Sequence, residues 1–315
     1  MKIIDMHCDT IWAGRKNPGE SFYDGNFSVN GKFLKENDAL AQFFALYIPR
    51  REIETTDTFD TVKDMYKFYL KMLEENRDII APALSAGEIR SNASKGLVSS
   101  FLTIEDGTFI DGKLERIDEV YDMGVRLITP LWNYETSVGF PNSRDPKLHA
   151  RGLKPFGIDA VRHMNDIGII VDVSHLSEGG FYDVAKYSKK SFVASHSCAR
   201  ALCSHQRNLT DDQLKTLGQL GGVVGVNFER SFLNENSNRT TISQIIEHLL
   251  HMKDKAGIEA IGFGSDFDGI EDNGEMENYG GFGRLLGEME KAFTGDEIDK
   301  ICNGNVMRII EDIVG

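Results

Sequence analysis

Eight short runs of apolar or β-branched residues are spread along the whole chain, and segments with helical periodicity lie between them. Most of these runs are continuous rather than alternating, which is typical of strands that are buried on both faces of a sheet. The predicted strands are Lys2–Met6, Ala41–Ile48, Gly96–Ile104, Val125–Thr129, Ile169–Val173, Phe192–Ser195, Gly222–Phe228 and Ala260–Ser265. A strand-then-helix order that repeats eight times predicts parallel strands joined by crossover helices. We therefore expect an α/β fold, a closed (β/α)8 barrel of the TIM type, rather than an open doubly wound sheet.

The segments between the strands carry apolar residues at the i, i+3 and i+4 spacing of amphipathic helices. The predicted helices are Thr58–Asn76, Leu114–Tyr121, Phe156–Ile167, Phe181–Tyr187, Thr210–Leu220 and Thr241–Ala256. Capping boxes that begin at Thr210 and Thr294 each mark the start of a helix. The run Ile79–Leu84 exceeds the count of eight and is predicted to be a strand outside the barrel, whereas Gly14–Asn37 and Ile270–Gly283 are predicted to be long loops.

The overall composition limits the number of domains and the class of partner. With 315 residues, of which 41% are hydrophobic, the chain can bury one large core, and we interpret residues 1–315 as a single domain. A formal net charge of −14 argues against binding of nucleic acid or of an anionic membrane. The chain has no run of eighteen apolar residues, and a strand that begins at Lys2 leaves no room for a signal peptide, so we expect a cytoplasmic protein. Its four scattered cysteines are predicted to be reduced and structural.

Residues that can bind metal ions follow five of the predicted strands. His7 and Asp9 end the first strand, where alternation directs both side chains to one side and Cys8 to the other. The other such residues are Glu105 and Asp106, Asp172 and His175, His196, and Asp266 and Asp268. The C-terminal ends of the strands of a barrel form one rim, so these side chains are expected to converge. Because burial of so many ionisable groups is costly unless a metal neutralises them, the pattern predicts a metal site.

The number of candidate ligands indicates two ions rather than one. One ion requires three or four protein ligands, whereas the rim offers five: His7, Asp9, Glu105, His175 and His196. Glu105 between two ions would give each ion three ligands and leave open positions for a shared water or hydroxide, as in two-metal hydrolases. Imidazole and carboxylate ligands without a thiolate favour Zn²⁺, with Mn²⁺, Co²⁺ and Fe²⁺ as alternatives.

The order of these motifs resembles that of the membrane (renal) dipeptidase family, a branch of the amidohydrolase-like barrels. The resemblance covers essentially the whole chain and rests on His7-x-Asp9, Ile104-Glu105-Asp106-Gly107, Asp172-x-Ser174-His175, Ser195-His196-Ser197, Gln206-Arg207-Asn208-Leu209, Gly264-Ser265-Asp266-Phe267-Asp268-Gly269 and Gly304-Asn305-Val306-Met307-Arg308. It implies a soluble, bacterial-type dizinc dipeptidase in which the five residues named above are the metal ligands.

The same resemblance implies roles for two further residues. Asp266 would be the acid/base that moves the proton, and Arg207 would hold the carboxylate of a small dipeptide substrate. Tolerance of a D-residue at the C-terminal side of the dipeptide and assembly as a homodimer are also implied. Asp268 is the weaker candidate for the acid, and its alternative role is to cap the following turn.

One loop departs from the family pattern. Animal members carry a histidine after the fourth strand that contacts the developing oxyanion, whereas this chain has Pro130-Leu131-Trp132-Asn133-Tyr134-Glu135. Asn133 is a candidate for the missing hydrogen bond to the oxyanion. We expect Trp132, Asn133 and Tyr134 to line the substrate side chains and to change specificity.

The sequence also gives predictions for four histidines outside these motifs. His163, His248 and His251 are predicted to lie at the surface or at an interface, and His205 is predicted to orient Arg207.

A second enzyme hypothesis is an amidohydrolase that acts on another small amide, a lactone or a β-lactam. A third hypothesis, from a different class, is a barrel that binds metal or peptide without turnover.

Overall fold

The computed structural model describes residues 1–54 and 57–315. Within them the strands are β1 (Ile3–Cys8), β2 (Ala39–Tyr47), β3 (Ile80–Pro82), β4 (Val98–Glu105), β5 (Leu127–Thr129), β6 (Ile170–Val171), β7 (Val193–Ser197), β8 (Val223–Val226) and β9 (Ile261–Phe263). The α-helices are α1 (Thr10–Lys16), α2 (Gly31–Glu36), α3 (Arg50–Ile53), α4 (Thr58–Glu75), α5 (Ala86–Ser94), α6 (Glu115–Asp122), α7 (Pro146–His149), α8 (Pro155–Ile167), α9 (Glu178–Tyr187), α10 (Asp211–Gln219), α11 (Arg230–Leu233), α12 (Ile242–Ala256), α13 (Phe282–Met289), α14 (Gly295–Asp299) and α15 (Asn305–Ile313).

Eight of the strands are parallel and follow one another around a barrel in the order β6-β5-β4-β2-β1-β9-β8-β7. A parallel bridge between Asp172 and Val193 links β6 to β7 and completes the circle. Strand β3 pairs with the first half of β4 and lies outside the barrel. The predicted (β/α)8 barrel is therefore confirmed, and so is the extra strand expected within Ile79–Leu84.

Local sequence signals set most of the helix starts. The capping boxes predicted at Thr210 and Thr294 are present, and a third begins at Thr241, where Gln244 supplies the partner side chain. The prediction of one long loop over Gly14–Asn37 is wrong, because α2 forms within it. Asn30 caps that helix by accepting the backbone N–H of Phe33, a signal that the glycine and polar content of the segment obscured.

Apolar packing fills the end of the barrel away from the polar rim. Met6, Phe43 and Phe101 pack inside the barrel together with Ile309 and Ile310 of α15. The larger apolar cluster lies between the strands and the surrounding helices and includes Cys8, Phe44 and Ile11. All four cysteines are buried free thiols. Among the described residues, no helix combines the length and apolar character that crossing a bilayer requires.

The prediction that His248 lies at the surface or at an interface is wrong. Its side chain is 1% exposed, Nδ1 accepts the backbone N–H of Ala199, and Nε2 donates to the carbonyl of Leu233. By contrast, His163 and His251 are partly exposed and lie 2.7 Å from Asp118 and Asp211. His248 therefore joins α12 to the segment after β7 and to the end of α11.

We expect the buried neutral state of His248 to make the fold less stable in acid. Burial lowers the pKa of His248 from 6.5 to about 4, so the unfolded chain takes up a proton more readily between these values. The free energy of unfolding is therefore lost as the pH falls through that window, by roughly 3 kcal/mol from this residue. Urea unfolding at pH 7 and pH 4, with chelator present, should give a smaller pH dependence for His248→Gln than for the wild type. The control His163→Gln should retain the wild-type dependence, and equal behaviour of both variants would contradict the assignment.

Candidate metal and active site

The C-terminal rim of the barrel carries the polar side chains that the sequence singled out. His7, Glu105 and His196 belong to the last residues of β1, β4 and β7, and Asp9 and His175 follow β1 and β6. All five residues are buried, with at most 5% of each exposed. Asp266 follows β9, and its side chain is 15% exposed. The structure therefore brings these six residues, from five rim segments, to one point, as expected from parallel strands in a closed barrel.

Two β-bulges direct histidines into this point. In β1, Asp5 pairs with Gln42 and Cys8 pairs with Phe44, so β1 holds one extra residue in the stretch that contains His7. In β7, Ala194 and Ser197 pair with Val224 and Val226, so an extra residue lies in the stretch that contains His196. A bulge breaks the alternation of side chains and re-aims the one beside it. Met6 and Val193 point into the barrel, so strict alternation along each strand would have turned His7 and His196 outward.

Glu105 lies between two groups of side chains and presents one carboxylate oxygen to each. Its Oε2 is 3.7 Å from His7 Nε2, which in turn is 3.6 Å from Asp9 Oδ2. Its Oε1 is 2.8 Å from His175 Nε2 and 3.5 Å from His196 Nε2. Asp266 Oδ1 approaches the first group at 3.7 Å from His7 Nε2. His7 also lies close to His196, so the side chains that could hold one ion form two overlapping groups, one of His7, Glu105 and His196 and one of His7, Asp9 and Asp266. Two neighbouring groups of this kind are compatible with a two-ion centre.

The hydrogen bonds of the two histidines on the Oε1 side fix their tautomers. Ser195 Oγ donates to Asp172, so His196 Nδ1 donates to Ser195 Oγ at 2.7 Å. His175 Nδ1 donates to Asn133 Oδ1 at 3.0 Å. With both Nδ1 atoms protonated in the neutral rings, both Nε2 atoms carry lone pairs, and these atoms are only 3.0 Å apart. Two converging lone pairs beside a carboxylate fit a cation.

Buried atoms without hydrogen-bond partners support the same conclusion on the Oε2 side. His7 Nε2 and Asp9 Oδ1 are buried and have no partner among the described residues. Such orphaned groups are costly unless a ligand or ion satisfies them. The donor set of imidazoles and carboxylates, without a thiolate, fits a divalent cation such as zinc.

The electrostatics describe a site that is crowded with carboxylates. Burial raises the pKa of Glu105 well above its usual value, and the charge of Asp9 adds to this effect. Burial alone would lower the pKa of His7, but Glu105, Asp9 and Asp266 raise it to about 10. Burial lowers the pKa values of His175 and His196, which keeps both rings neutral and able to act as ligands.

Asp266 is held in place by the backbone and by one amide. Asn227 Nδ2 donates to Asp266 Oδ2 at 2.8 Å. The φ of Asp266 is +64°, a left-handed conformation that is uncommon outside glycine. Gly269 has to be glycine here, because a Cβ atom would lie 2.1 Å from Asp9 Oδ2 and 2.8 Å from Asp266 Oδ1. Gly264, just after β9, has no room for a side chain either, since its Cβ would lie 1.7 Å from the carbonyl oxygen of Ser195 in β7.

Arg207 reaches the same centre from the loop after β7. It is buried, and its Nη2 lies 2.9 Å from His175 Nε2 while its Nη1 has no partner among the described residues. His205 does not touch the guanidinium by hydrogen bond. Its Nδ1 accepts the backbone N–H of Arg207, and its ring stacks on Phe232, over which the guanidinium also lies. His205 therefore contacts Arg207 through the backbone and a shared aromatic ring, and its role in orienting Arg207 stays a prediction.

A cavity of about 590 Å³ opens onto these groups and is the expected size for a small ligand. Trp132, Asn133, Arg207 and Asp266 line it, together with Trp12. Trp12 and Trp132 each contact Tyr47 edge-on, and the three rings form an aromatic wall beside Glu105.

Two residues of the predicted site have other roles in the structure. Tyr134 is not among the residues that line the cavity, because its hydroxyl donates to Asp106 at 2.5 Å. Asp268 does not cap the turn that follows it. Its carboxylate accepts from Thr10 Oγ1 and from the backbone N–H groups of Ser28 and Val29, and so it anchors the long loop after α1. Neither contact could be read from local sequence, because the partners lie far away in the chain.

Two residues that position the candidate site have a role that the sequence does not show: Asp172, which the sequence offers as a possible metal ligand, and Asn227. Asp172 accepts from Thr129 Oγ1, from Ser195 Oγ and N–H, and from Ser174, and so supports the histidine that follows Ser195. Asn227, which holds Asp266, carries no motif of its own. The only available signal was its place just after β8, at the same rim.

Comparison with known proteins gives one family. The family model described as membrane dipeptidase (peptidase family M19) matches residues 1–314. A curated protein of Schizosaccharomyces pombe (strain 972 / ATCC 24843), named an uncharacterized dipeptidase, is 28% identical over 98% of this chain and 79% of its own length.

Two solved structures are similar over nearly the full length. The metallo peptidase named dipeptidase AC, of family M19, is 29% identical with a TM-score of 0.93, over 100% of this chain and 99% of its own. A metallo peptidase from Rhodobacter sphaeroides is 27% identical with a TM-score of 0.91, over 99% of each chain. That protein was crystallised with a phosphinate mimic of the dipeptide L-Ala-D-Ala.

Proposed function

Because the chain belongs to the membrane dipeptidase family, peptidase family M19, we propose that it is a zinc enzyme that hydrolyses dipeptides, including those with a D-residue at the C-terminal side. Membership in a family of metallo-dipeptidases establishes the class of reaction. Zinc as the metal, two ions per chain and the tolerance of a D-residue are the parts that we propose. The observation that carries the proposal is Glu105, whose two oxygens face two separate sets of metal-binding atoms.

We assign His7 and Asp9 to one ion and His175 and His196 to the other, with Glu105 shared. Divalent cations bound there would supply a nucleophile at neutral pH and polarise the carbonyl of the scissile bond. The chain contributes the fixed geometry: the bulges direct His7 and His196, and the Nδ1 hydrogen bonds leave the Nε2 lone pairs available.

Asp266 is the proposed acid/base. Its Oδ1 faces the centre, and its Oδ2 is held by Asn227, so only one oxygen is available for proton transfer. Burial raises the pKa of Asp266, which brings the carboxyl closer to the pH at which it can both accept and return a proton. It would take a proton from the attacking water and deliver it to the leaving amine.

Arg207 is the proposed site for the carboxylate of the substrate. Its unpartnered Nη1 and its position in the cavity wall leave donors for a planar carboxylate. The contact of Nη2 with His175 Nε2 uses the lone pair that we assign to metal, so metal binding would release this second donor as well. Trp132 is proposed to contact a substrate side chain through the aromatic wall, and Asn133 to border the same space.

Elemental analysis together with a dipeptide library tests the proposal. We expect two zinc ions per chain after dialysis against zinc, and hydrolysis of alanyl dipeptides of both stereochemistries at the C-terminal residue. Turnover restricted to lactones, β-lactams or other amides would favour the broader amidohydrolase hypothesis. Tight binding of dipeptides without products would favour a binding protein. A cytoplasmic location, a homodimer and a single domain over residues 1–315 remain predictions.

Asn133 gives a prediction about metal affinity. Because its Oδ1 accepts from His175 Nδ1, its removal should let the ring rotate and weaken zinc binding about 10–100-fold, the usual cost of losing such a partner. We expect this loss in Asn133→Leu and its recovery in Asn133→Asp, which keeps the acceptor. Zinc affinity measured by competition with a chelator checks the result. Equal affinities for the two variants would mean that Asn133 does not position His175.

A further inference from the structure

Outside the candidate metal centre, the charged residues that line the cavity are separated by sign. Arg144 follows β5, and Arg207 follows β7. Glu229 and Glu271, by contrast, follow β8 and β9. The barrel order places the loops after β5 and β7 on either side of β6, whereas β8 and β9 are neighbours on the far side of β7. The rim therefore has a basic arc and an acidic arc, and a dipeptide would turn its carboxylate end to the first and its ammonium to the second.

The basic arc holds more positive charge than one carboxylate requires. Arg144 is exposed and has neither a hydrogen bond nor an ion pair with any described residue. Arg200, the other arginine nearby, is paired with Glu178 at 2.9 Å. In a chain with a net charge of −14, an arginine that lines the cavity without an acidic partner is unusual. Arg144 and Arg207 are thus two guanidinium groups with free donors on the same side of the cavity.

The backbone on both sides of Arg144 is anchored. Asn142 donates its backbone N–H to the carbonyl of His175 at 2.9 Å, which ties the loop to the candidate metal centre. Asp145 caps α7 by accepting the backbone N–H of Lys147, and Ser143 donates its backbone N–H to His149. Because these contacts fix the loop, the backbone of Arg144 has a defined position on the rim, and only the freedom of its side chain is lost when it binds a ligand.

A second cavity, of about 700 Å³, adjoins the first at this arc. The residues that line both are Ser143, Arg144, His205, Gln206 and Ser231. The charged residues that line only the second cavity are His149, Arg200 and Glu235. Arg144 therefore lies at the junction of the two cavities. If Arg207 binds the α-carboxylate of a dipeptide, the side chain of the C-terminal residue would extend past Arg144 into the second cavity.

We propose that Arg144 binds a second carboxylate of the substrate, carried by the side chain of its C-terminal residue, so that the preferred dipeptides end in glutamate or aspartate. This inference rests on the proposed function, in which Arg207 holds the α-carboxylate. Guanidinium groups pair with carboxylates through parallel hydrogen bonds, and two such groups fit the two carboxylates of an acidic residue. The positive character of the arc also appears at His205, whose pKa is lowered to about 4 by burial and by Arg207, Arg144 and Arg200.

The test compares two substrates of the same shape that differ in one charge. We expect the wild type to have a higher kcat/KM for Ala-D-Glu than for Ala-D-Gln, and likewise for the L-forms. Arg144→Gln should lower the ratio of the two kcat/KM values about tenfold, the lower end of what a charge-assisted hydrogen bond contributes, because Arg144 is open to solvent. Arg144→Lys should restore part of the ratio. The control Lys147→Gln removes the same charge three residues away and should leave the ratio unchanged.

Each outcome bears on one of the two proposals. An unchanged ratio in Arg144→Gln, or an equal loss with both substrates, overturns the inference and leaves the dipeptidase proposal intact. A wild type that prefers Ala-Gln over Ala-Glu does the same. A zinc-loaded wild type that hydrolyses no dipeptide, including Ala-Ala, overturns the proposed function and this inference with it.

Discussion

Replacement of Glu105 by glutamine is expected to abolish dipeptide hydrolysis and to reduce the zinc content from two ions to at most one per chain. Glutamine keeps the shape of the side chain but removes its charge and one of its two acceptor oxygens. Because Oε1 and Oε2 face different sets of imidazoles, no single oxygen can serve both halves of the site. We expect kcat/KM to fall more than about a thousandfold, beyond the 10–100-fold cost of losing a residue that only supports a ligand.

The neighbouring carboxylate provides the control for this experiment. Asp106 is also buried, but its oxygens are used by Thr108 and Tyr134 rather than by the metal-binding atoms. Asp106→Asn should keep two zinc ions, since asparagine also tolerates its positive φ. Metal content by elemental analysis and circular dichroism of each variant separate loss of the site from loss of the fold. Two bound ions and a normal rate in Glu105→Gln would exclude a bridging role for Glu105.

Asp266→Asn is expected to lower kcat by a factor on the order of 10²–10⁴ while zinc content stays at the wild-type level. The range is what a positioned acid/base contributes to proton transfer. Asp266 also lies close enough to His7 and Asp9 for the three side chains to hold one ion together. Its substitution therefore distinguishes a role in proton transfer from a role as a metal ligand. Loss of rate with full metal content indicates proton transfer, whereas loss of one ion together with the rate would make Asp266 a ligand instead.

Asp268→Asn is the matched control for Asp266. This residue lies two positions further along and has the same left-handed backbone, but its carboxylate binds Thr10 and the backbone of Ser28 and Val29. We expect little change in kcat and a loss of about 1–3 kcal/mol in the free energy of unfolding, the cost of a weakened buried hydrogen-bond group. Rates measured with saturating dipeptide and urea unfolding of the two variants check both statements.

The fold and the location of the site could be predicted from sequence because both depend on short-range patterns. Continuous apolar runs mark buried parallel strands, and a polar residue just beyond such a run has to lie at the C-terminal rim. Glu105 and His196 were found in this way without any knowledge of which strands are neighbours. Closure of the barrel brings these positions to one rim, whereas the direction of the His196 side chain also depends on the bulge in β7.

What could not be predicted depends on register and on distant contacts. The bulges that orient His7 and His196 arise from pairing with β2 and β8, and no local pattern encodes an extra residue in a strand. The contacts of Tyr134 and Asp268 are with residues far away in the sequence. His248 is a different kind of error. Ile245, His248, Leu249 and Met252 follow the i, i+3, i+4, i+7 pattern of a buried face, so its burial was readable and was overlooked.

In residues 1–54 and 57–315, the bridge between Asp172 and Val193 is the only backbone pairing that joins the β6 segment to β7, so this junction has the fewest backbone contacts in the barrel. The carboxylate of Asp172 adds hydrogen bonds to Thr129 and, across the junction, to Ser195. His175 and His196 leave the wall on either side of this junction, so an ion bound by both, as we propose, would link its two sides. The free energy of metal binding would stabilise only the folded chain. Loss of the metal would therefore weaken the wall at the same place where it would end catalysis, so metal binding and the stability of the barrel would be coupled.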